Sequence, residues 1–216
     1  MSSFPFVAVL DMLQPALAAY PVPLIDQMGR SNPFQVLIAT ILSLRTRDET
    51  TAQVTPGLFA VLDSPATGAD LDPAVIAGLI YPVGFYRTKA QSIVDICKIL
   101  TTQYDGIVPN TLDALLALPG VGRKTANLVL SVGYGIPAIC VDIHVHRICN
   151  RWQFVATTTP EQTETELRLR VPQDAWISIN QRLVTLGQHI CKPISPHCST
   201  CPIHHLCPQH GVERHR

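Results

Sequence analysis

A short segment of the chain, LPGVGRKTAN, combines residue types that suit phosphate binding and nucleophilic chemistry. Its Pro-Gly pair ends one predicted helix, because proline cannot continue a helix and glycine accepts positive φ. A second predicted helix follows at once, and the first N–H groups of a helix lie at the positive end of its dipole. Amides placed in this way bind phosphate without help from side chains. The predicted phosphate contacts of this helical hairpin are Gly120, Val121, Gly122 and Arg123.

Lys124 supplies the hairpin with a possible nucleophile. It lies in the first turn of the second predicted helix, where the dipole disfavours a cation by about 0.5 kcal/mol. A desolvated lysine beside another cation, here the adjacent Arg123, is a usable amine nucleophile. Two plainer interpretations stay open: the glycine turn is an ordinary helical corner, or Lys124 only contacts phosphate. The whole pattern indicates an enzyme that acts on nucleic acid.

Asp142, in the segment VDIHVHR, is a candidate carboxylate partner for Lys124. It precedes a predicted helix with an apolar face, so it also suits the N-cap position. The two roles are compatible, because a capping carboxylate is held rigidly at the mouth of its helix. His144 and His146 follow on the same helix and could contact phosphate or ligate metal, although packed or surface histidines are more common.

Four cysteines near the end of the chain, spaced C-x6-C-x2-C-x5-C, form a candidate metal site. Thiols so close together do not suit a structural disulfide set in a chain without a secretory signal. A tetrahedral zinc accepts four thiolates, often as two C-x2-C pairs. The single C-x2-C pair and the longer outer spacings favour a four-iron cluster, with zinc as the alternative. The four predicted ligands are Cys191, Cys198, Cys201 and Cys207.

Helices must position all of these residues, because apolar residues recur at helical spacing along most of the chain. No strand-like alternation persists, so the predicted fold class is all-α. Proline and glycine mark Leu62 to Pro73 as a predicted surface loop. The remaining cysteines fall on apolar faces and are predicted to be small buried side chains: Cys97, Cys140 and Cys149.

Charge and hydropathy limit the possible partners. The net charge is zero, with 16 basic and 16 acidic residues, which argues against non-specific affinity for DNA. The basic residues nonetheless concentrate in the motif segments, and a binding face is still positive if the acidic residues face away from it. No stretch suits a membrane span or a signal peptide, so we expect a cytoplasmic protein. The acidic residues predicted in loops or on the surface are Asp63, Asp70, Asp72, Glu161, Glu164 and Glu166.

Together, the hairpin, the VDIHVHR segment and the cysteine spacing resemble the endonuclease III family of DNA glycosylases. Two further segments agree with this family, IATILSLRTRD and LIYPVGFYRTKA, and the resemblance covers about residues 25 to 207. It implies a bifunctional enzyme of base excision repair that removes oxidised pyrimidines and cleaves the abasic site as a lyase. Lys124 matches the family's nucleophile and Asp142 its activating carboxylate. The four cysteines match the ligands of its [4Fe–4S] cluster.

The resemblance also implies an architecture. A helical domain with the helix-hairpin-helix motif spans residues 26–137, and residues 1–25 with 138–216 form a second helical domain that holds the cluster. Lys124 and Asp142 are then expected to face each other across the cleft between the domains. The expected partner is double-stranded DNA with a damaged base or abasic site, and we expect a monomer to bind it in association with the nucleoid.

Two residues depart from the family's pattern. Arg45 stands where the family commonly has a glutamine that fills the gap left by an extruded nucleotide, and Phe85 stands at the second wedge position. Both can fill a gap or stack on bases, and we predict that they contact DNA. The complete set of predicted DNA contacts is Arg45, Phe85, Gly120, Val121, Gly122, Arg123, His144 and Arg147.

Other functions stay open from the residues alone. A monofunctional glycosylase for mismatched thymine or adenine would release a base without cutting the strand. The adenine branch, which is similar in fold and cluster, usually lacks the hairpin lysine. It also has a glutamate in the helix that ends near Arg45, where this chain has only Thr40 and its apolar neighbours, so this branch is disfavoured. A non-enzymatic helix-hairpin-helix DNA-binding module would explain the glycines but not Lys124. An iron–sulfur electron carrier would not need the hairpin.

Overall fold

The chain is helical throughout the residues that the computed structural model describes, which are 4–28 and 32–216. Within these two stretches there is no β-strand, which confirms the all-α prediction. Every helix in them is too short or too polar to span a membrane. The α-helices are α1 (Phe6–Leu17), α2 (Leu24–Gln27), α3 (Pro33–Ser43), α4 (Asp48–Phe59), α5 (Pro65–Asp70), α6 (Pro73–Ile80), α7 (Tyr86–Gln103), α8 (Leu112–Leu116), α9 (Arg123–Leu128), α10 (Ile143–Arg151), α11 (Pro160–Arg170) and α12 (Trp176–His189).

Two compact units make up the chain. One comprises Met1–Pro23 with Pro137–Arg216, and the other comprises Leu24–Ile136. The first unit joins the two ends of the chain, because α1 packs against α12, which also packs against α10. Its core includes Trp152, which is 1% exposed and stacks on the ring of Phe4 with centroids 5.0 Å apart.

The Leu24–Ile136 unit is built around α3 and α7. All side chains from Val36 to Leu42 are buried, so α3 is central to this unit. Asn32 caps α3 by accepting a hydrogen bond from the Gln35 N–H at 3.1 Å. Helices α5 and α6 pack on α7, and α9 packs on α3. Helices α3 and α7 therefore form the packed centre of this unit.

The prediction of a surface loop over Leu62 to Pro73 is wrong in part, because α5 occupies residues 65–70. Ser64 caps this helix by accepting a hydrogen bond from the Thr67 N–H at 3.2 Å, and Pro65 begins it. Serine followed by proline favours a helix start as much as a turn. Serine and proline in this segment therefore do not distinguish a surface loop from the start of a helix.

Glu164 also departs from expectation, since it was predicted on the surface and is only 3% exposed. Its carboxylate accepts a hydrogen bond from Arg168 Nε at 2.9 Å, one helical turn further along α11. The Arg168 guanidinium in turn lies 4.9 Å from the ring centroid of Trp176. A paired carboxylate can be buried at an acceptable cost, which charge counting from the sequence does not reveal.

We expect Gly68→Ala to destabilise the Leu24–Ile136 unit by about 1–3 kcal/mol, because it overpacks a closed interface. A methyl group at this position in α5 would collide with Cys97 Sγ and with Leu62 Cδ1, and both of these side chains are fully buried. Gly78→Ala in α6 is the matched control, since a Cβ there meets nothing within 4 Å. Urea unfolding checks the pair, and equal stability of the two variants would contradict the packing argument.

Candidate active site

The helical hairpin predicted from LPGVGRKTAN is present. Helix α8 ends at Leu116, and the Val121 N–H donates to the Leu118 carbonyl at 3.2 Å to close the turn. Gly120 has a φ of 74°, a left-handed conformation that costs glycine little. Gly122 is at the N-cap position of α9 and provides no side-chain cap. The turn therefore presents backbone rather than side chains at the start of α9.

Lys124 lies in the first turn of α9, where it is exposed to solvent together with Arg123. The next residues, Thr125 and Ala126, are 1% and 0% exposed, so they fix α9 to the unit while Lys124 stays accessible. The helix continues as a π-helical turn over Val129–Gly133. Such wider turns occur frequently at functional sites. The geometry therefore offers an accessible amine on a rigid support.

Asp142 caps α10, as predicted. Its Oδ1 accepts hydrogen bonds from the N–H groups of His144 at 2.8 Å and Val145 at 2.9 Å. The buried side chains of α10 include Val145, Ile148 and Cys149, the apolar face expected for this helix. One carboxylate oxygen makes both capping bonds, so Oδ2 takes no part in the cap. The carboxylate is thus held in a defined orientation at the start of α10.

Arg147 is held within its own unit. Its Nη2 donates to the carbonyls of Cys191 at 2.8 Å and Gly187 at 3.2 Å, and lies 3.1 Å from His144 Nδ1. Burial lowers the pKa of Arg147 below its ordinary value. The guanidinium therefore connects α10 to the start of the cysteine-rich segment. DNA contacts by His144 and Arg147 stay predictions.

Four cysteine side chains line one cavity, together with Arg151, two histidines (His197 and His204) and apolar residues that include Leu186 of α12. Arg151 Nη1 lies 3.3 Å from Cys191 Sγ and donates to the Lys192 carbonyl at 2.7 Å. Burial raises the pKa of the Cys201 thiol to about 11. In the described residues, no group of three or more histidine, cysteine or acidic side chains is arranged to hold a metal ion. The cavity-lining cysteines are Cys191, Cys198, Cys201 and Cys207.

The remaining three cysteines, Cys97, Cys140 and Cys149, are buried as predicted. All three are at most 1% exposed. Desolvation raises the pKa of the Cys97 thiol to about 12. A thiol in such surroundings behaves as a small apolar side chain, so these three residues are not candidates for reactivity.

Arg45 and Phe85, the two predicted gap-filling residues, are brought together. The Arg45 guanidinium carbon lies 5.6 Å from the centroid of the Phe85 ring, within the range of a cation–π contact. Both side chains are exposed, and both residues have left-handed backbones, with φ of 54° and 58°. Non-glycine residues rarely adopt this conformation, and functional sites are enriched in it.

Lys89 is a candidate that sequence reasoning did not single out. It is 7% exposed, and its Nζ donates hydrogen bonds to three oxygen atoms of residues 42–46. Burial lowers the pKa of Lys89 to about 8. A signal exists in the sequence, because Lys89 lies in helical register with Ile93, Ile96 and Leu100 on the apolar face of α7. A lysine on an apolar stripe requires buried acceptors.

Comparisons with known proteins agree with this description. Residues 38–173 match the HhH-GPD superfamily of base excision DNA repair proteins. The endonuclease III of Thermotoga maritima is 49% identical over 177 residues, which are 82% of this chain and 83% of that protein. The endonuclease III of Escherichia coli K12 is 39% identical over 181 residues, 84% of this chain and 86% of that protein.

Solved structures show the same relationship. A trapped covalent intermediate of endonuclease III with DNA matches with a TM-score of 0.86 and 34% identity, over 97% of both chains. A thermostable thymine-DNA glycosylase matches with a TM-score of 0.81 at 24% identity, over 93% of this chain and 94% of that one. The second likeness shows a shared fold only.

The fold and the hairpin therefore define a helix-hairpin-helix protein of base excision DNA repair. Within this class, the chain belongs to the endonuclease III family. It is a DNA glycosylase with abasic-site lyase activity, which confirms the enzyme class expected from its sequence.

Proposed function

We propose that Lys124 is the nucleophile of this glycosylase and lyase, and that Asp142 assists it on the same nucleotide. The observation that supports this proposal most directly is the accessible Lys124 in the first turn of α9, next to the glycine turn. A related endonuclease III has been trapped as a covalent intermediate with DNA. A covalent step requires a nucleophile, and an amine suits attack on a sugar carbon.

Phosphate binding at the hairpin would fix the DNA before chemistry. The turn of Gly120, Val121 and Gly122 presents backbone at the start of α9, where the helix dipole favours an anion. Arg123 is exposed beside it and adds a positive charge. Contacts of this kind position the duplex without reading its sequence. The enzyme would therefore recognise damage rather than a base sequence.

The covalent step exchanges one bond of the sugar for another. The neutral amine of Lys124 attacks C1′, and the bond between C1′ and the base breaks, so that the base leaves with the bonding electrons and takes up a proton. Ring opening then breaks the bond between C1′ and O4′, O4′ takes up a proton, and a protonated Schiff base between C1′ and Nζ remains. Loss of a proton from C2′ expels the 3′ phosphate by β-elimination and cuts the strand. Hydrolysis of the Schiff base returns free Lys124.

Asp142 would act on this sequence in two ways. Its charge would stabilise the positive charge that develops on the sugar as the base departs. It would also accept the proton that the attacking amine loses. The N-cap bonds hold this carboxylate through Oδ1, which leaves Oδ2 for the reaction. The cap is thus part of the catalytic arrangement in this proposal.

A [4Fe–4S] cluster would be held by the four cysteines around the cavity in the Pro137–Arg216 segment. Their donor set, four thiols, fits iron–sulfur and zinc alike. The single C-x2-C pair and the longer outer spacings favour the cluster, and the four thiols that would hold it line one cavity. When bound, the cluster would fix the conformation of this segment.

We expect Cys201→Ser to remove the broad visible absorption of an iron–sulfur protein and to lower its iron content, because one of four ligands is lost. Cys97→Ala is the matched control, since Cys97 is a buried thiol in the other unit. It should keep the absorption of the wild type. Purified wild-type protein that is colourless and contains one zinc per chain would contradict the cluster.

The proposed substrate is double-stranded DNA with an oxidised pyrimidine or an abasic site, bound by a monomer at the nucleoid. The DNA complexes of endonuclease III support DNA as the partner, and the name of the related enzymes supports the substrate class. A duplex with a single thymine glycol tests it. We expect base release and a nick 3′ to the lesion in equal amounts. Base release without a nick would instead indicate a monofunctional glycosylase.

A further inference from the structure

Two loops of the Leu24–Ile136 unit meet next to Arg45 and Phe85. One loop connects α3 to α4, and the other connects α6 to α7. The Gly84 N–H donates to Thr46 Oγ1 at 3.2 Å, and a Cβ added to Gly84 would lie 2.7 Å from the Arg45 carbonyl oxygen. The two backbones are therefore in direct contact, and only glycine fits between them.

Lys89 joins the same two loops from their buried side. It lies in the first turn of α7. Its Nζ donates to the carbonyls of Leu42 at 2.8 Å and Leu44 at 2.6 Å, and to Thr46 Oγ1 at 3.1 Å. An ammonium group has three donors, and here each one has an acceptor within residues 42–46, at the end of α3 and in the loop that contains Arg45. The donor itself, Lys89 Nζ, belongs to α7, the helix that follows Phe85.

The ammonium group of Lys89 is costly to bury, since a charge taken out of water must be fully compensated by hydrogen-bond acceptors. Burial lowers the pKa of Lys89, which reflects that cost. An apolar side chain would fill the space without it, so the charge calls for an explanation beyond packing. Two of its acceptors are carbonyls at the end of α3, which lack helical partners.

The backbones that Lys89 joins are strained at the exposed positions. Arg45 and Phe85 both adopt left-handed φ values, which persist only where the surrounding structure fixes them. Phe85 is 62% exposed, and its ring faces the Arg45 guanidinium at 5.6 Å. Both side chains thus project together from a junction that is buried underneath.

We propose that Lys89 is a positioning residue for nucleotide extrusion. Its ammonium group fixes the two loops to each other, so that Arg45 and Phe85 enter the duplex as one rigid wedge. This inference rests on the proposed function, in which these two side chains fill the gap that the extruded nucleotide leaves. A wedge that is ordered in advance loses no conformational freedom when it inserts, which favours the extruded state.

The test compares Lys89→Met with wild type on two substrates that differ only in the cost of extrusion. One has thymine glycol paired in a duplex, and the other has it in an unpaired loop, where extrusion costs little. We expect Lys89→Met to lower kcat/KM on the paired substrate by about tenfold and on the unpaired substrate by at most about twofold. Equal losses on both substrates would overturn the proposal, because a general structural defect does not distinguish them.

Three further variants keep the test decisive. Lys98→Met changes an exposed lysine of the same helix and should leave both rates unchanged. Thr46→Val removes one acceptor of Lys89 and also the acceptor of the Gly84 N–H, so it weakens the same junction between the two loops. It should lower kcat/KM on the paired substrate about threefold more than on the unpaired substrate, even if Lys89→Met fails to fold. Phe85→Ala tests the wedge itself. If Phe85→Ala has no effect on the paired substrate, the proposed wedge function fails; if it has an effect and neither Lys89→Met nor Thr46→Val does, only the role of Lys89 fails.

Discussion

Lys124→Gln should abolish both strand cleavage and covalent trapping, with a loss of roughly 10³-fold or more in the rate of nicking. Glutamine has nearly the same length as lysine, but its amide nitrogen has no available electron pair and cannot form a Schiff base. Lys124 is exposed, so the free energy of unfolding should change by no more than about 0.5 kcal/mol. Borohydride added to a reaction on an abasic duplex measures the effect, because it reduces the Schiff base to a stable adduct.

Arg123→Gln is the matched control for this experiment, since Arg123 is the adjacent exposed cation on the same turn. It should weaken DNA binding and reduce the salt dependence of that binding, because one phosphate contact is lost. Trapping at saturating enzyme should persist. An adduct of Lys124→Gln as abundant as that of wild type would exclude Lys124 as the nucleophile, and another amine would have to be sought.

The hairpin and the cap of α10 could be predicted because short-range rules determine them. Proline, glycine and the N-cap carboxylate act on backbone within a few residues of themselves. Asp142 bonds to amides two and three positions further along the chain. Whether Asp142 also acts on a substrate is a different matter, since that depends on residues that are distant in the sequence.

The role of Lys89 could not be predicted in this way. Its acceptors Leu42 and Leu44 lie 47 and 45 positions earlier in the chain, and no local pattern reveals such a pairing. Arg147 is a similar case, since its carbonyl partner Cys191 is 44 positions away. Each of these two basic residues connects parts of the fold that are distant in the sequence. A sequence pattern alone would present such a residue only as a candidate DNA contact.

The zero net charge is compatible with DNA binding once the basic residues are sorted by exposure. Arg151 is buried and bonded to carbonyls of the cysteine-rich segment. In the Leu24–Ile136 unit, by contrast, the basic side chains of the motif segments are mostly exposed: Arg45, Arg47, Arg87, Arg123 and Lys124. Local charge, rather than the sum over the chain, determines how a surface attracts a polyanion. The net charge follows from the sequence, but burial in the folded protein determines which basic side chains can contact DNA.

Asp142→Asn should separate the two roles of this residue. Asparagine is as good an N-cap as aspartate, because its side-chain oxygen accepts the same bonds. The free energy of unfolding should therefore stay within about 0.5 kcal/mol of wild type. The amide has no charge to stabilise the developing cation and is no base, so single-turnover base release should fall by roughly 10²- to 10³-fold. DNA binding should be retained or tightened, since a negative charge is removed.

Asp142→Ala is the companion variant, since it loses both the charge and the cap. It should show the same loss of base release, and its free energy of unfolding should fall by about 1 kcal/mol, because the N–H groups of His144 and Val145 lose their acceptor. Urea unfolding and single-turnover kinetics on the thymine glycol duplex measure both quantities. If Asp142→Asn releases the base at the wild-type rate while Asp142→Ala is only less stable, then Asp142 is a helix cap and nothing more. In that case the carboxylate that assists Lys124 must come from another residue.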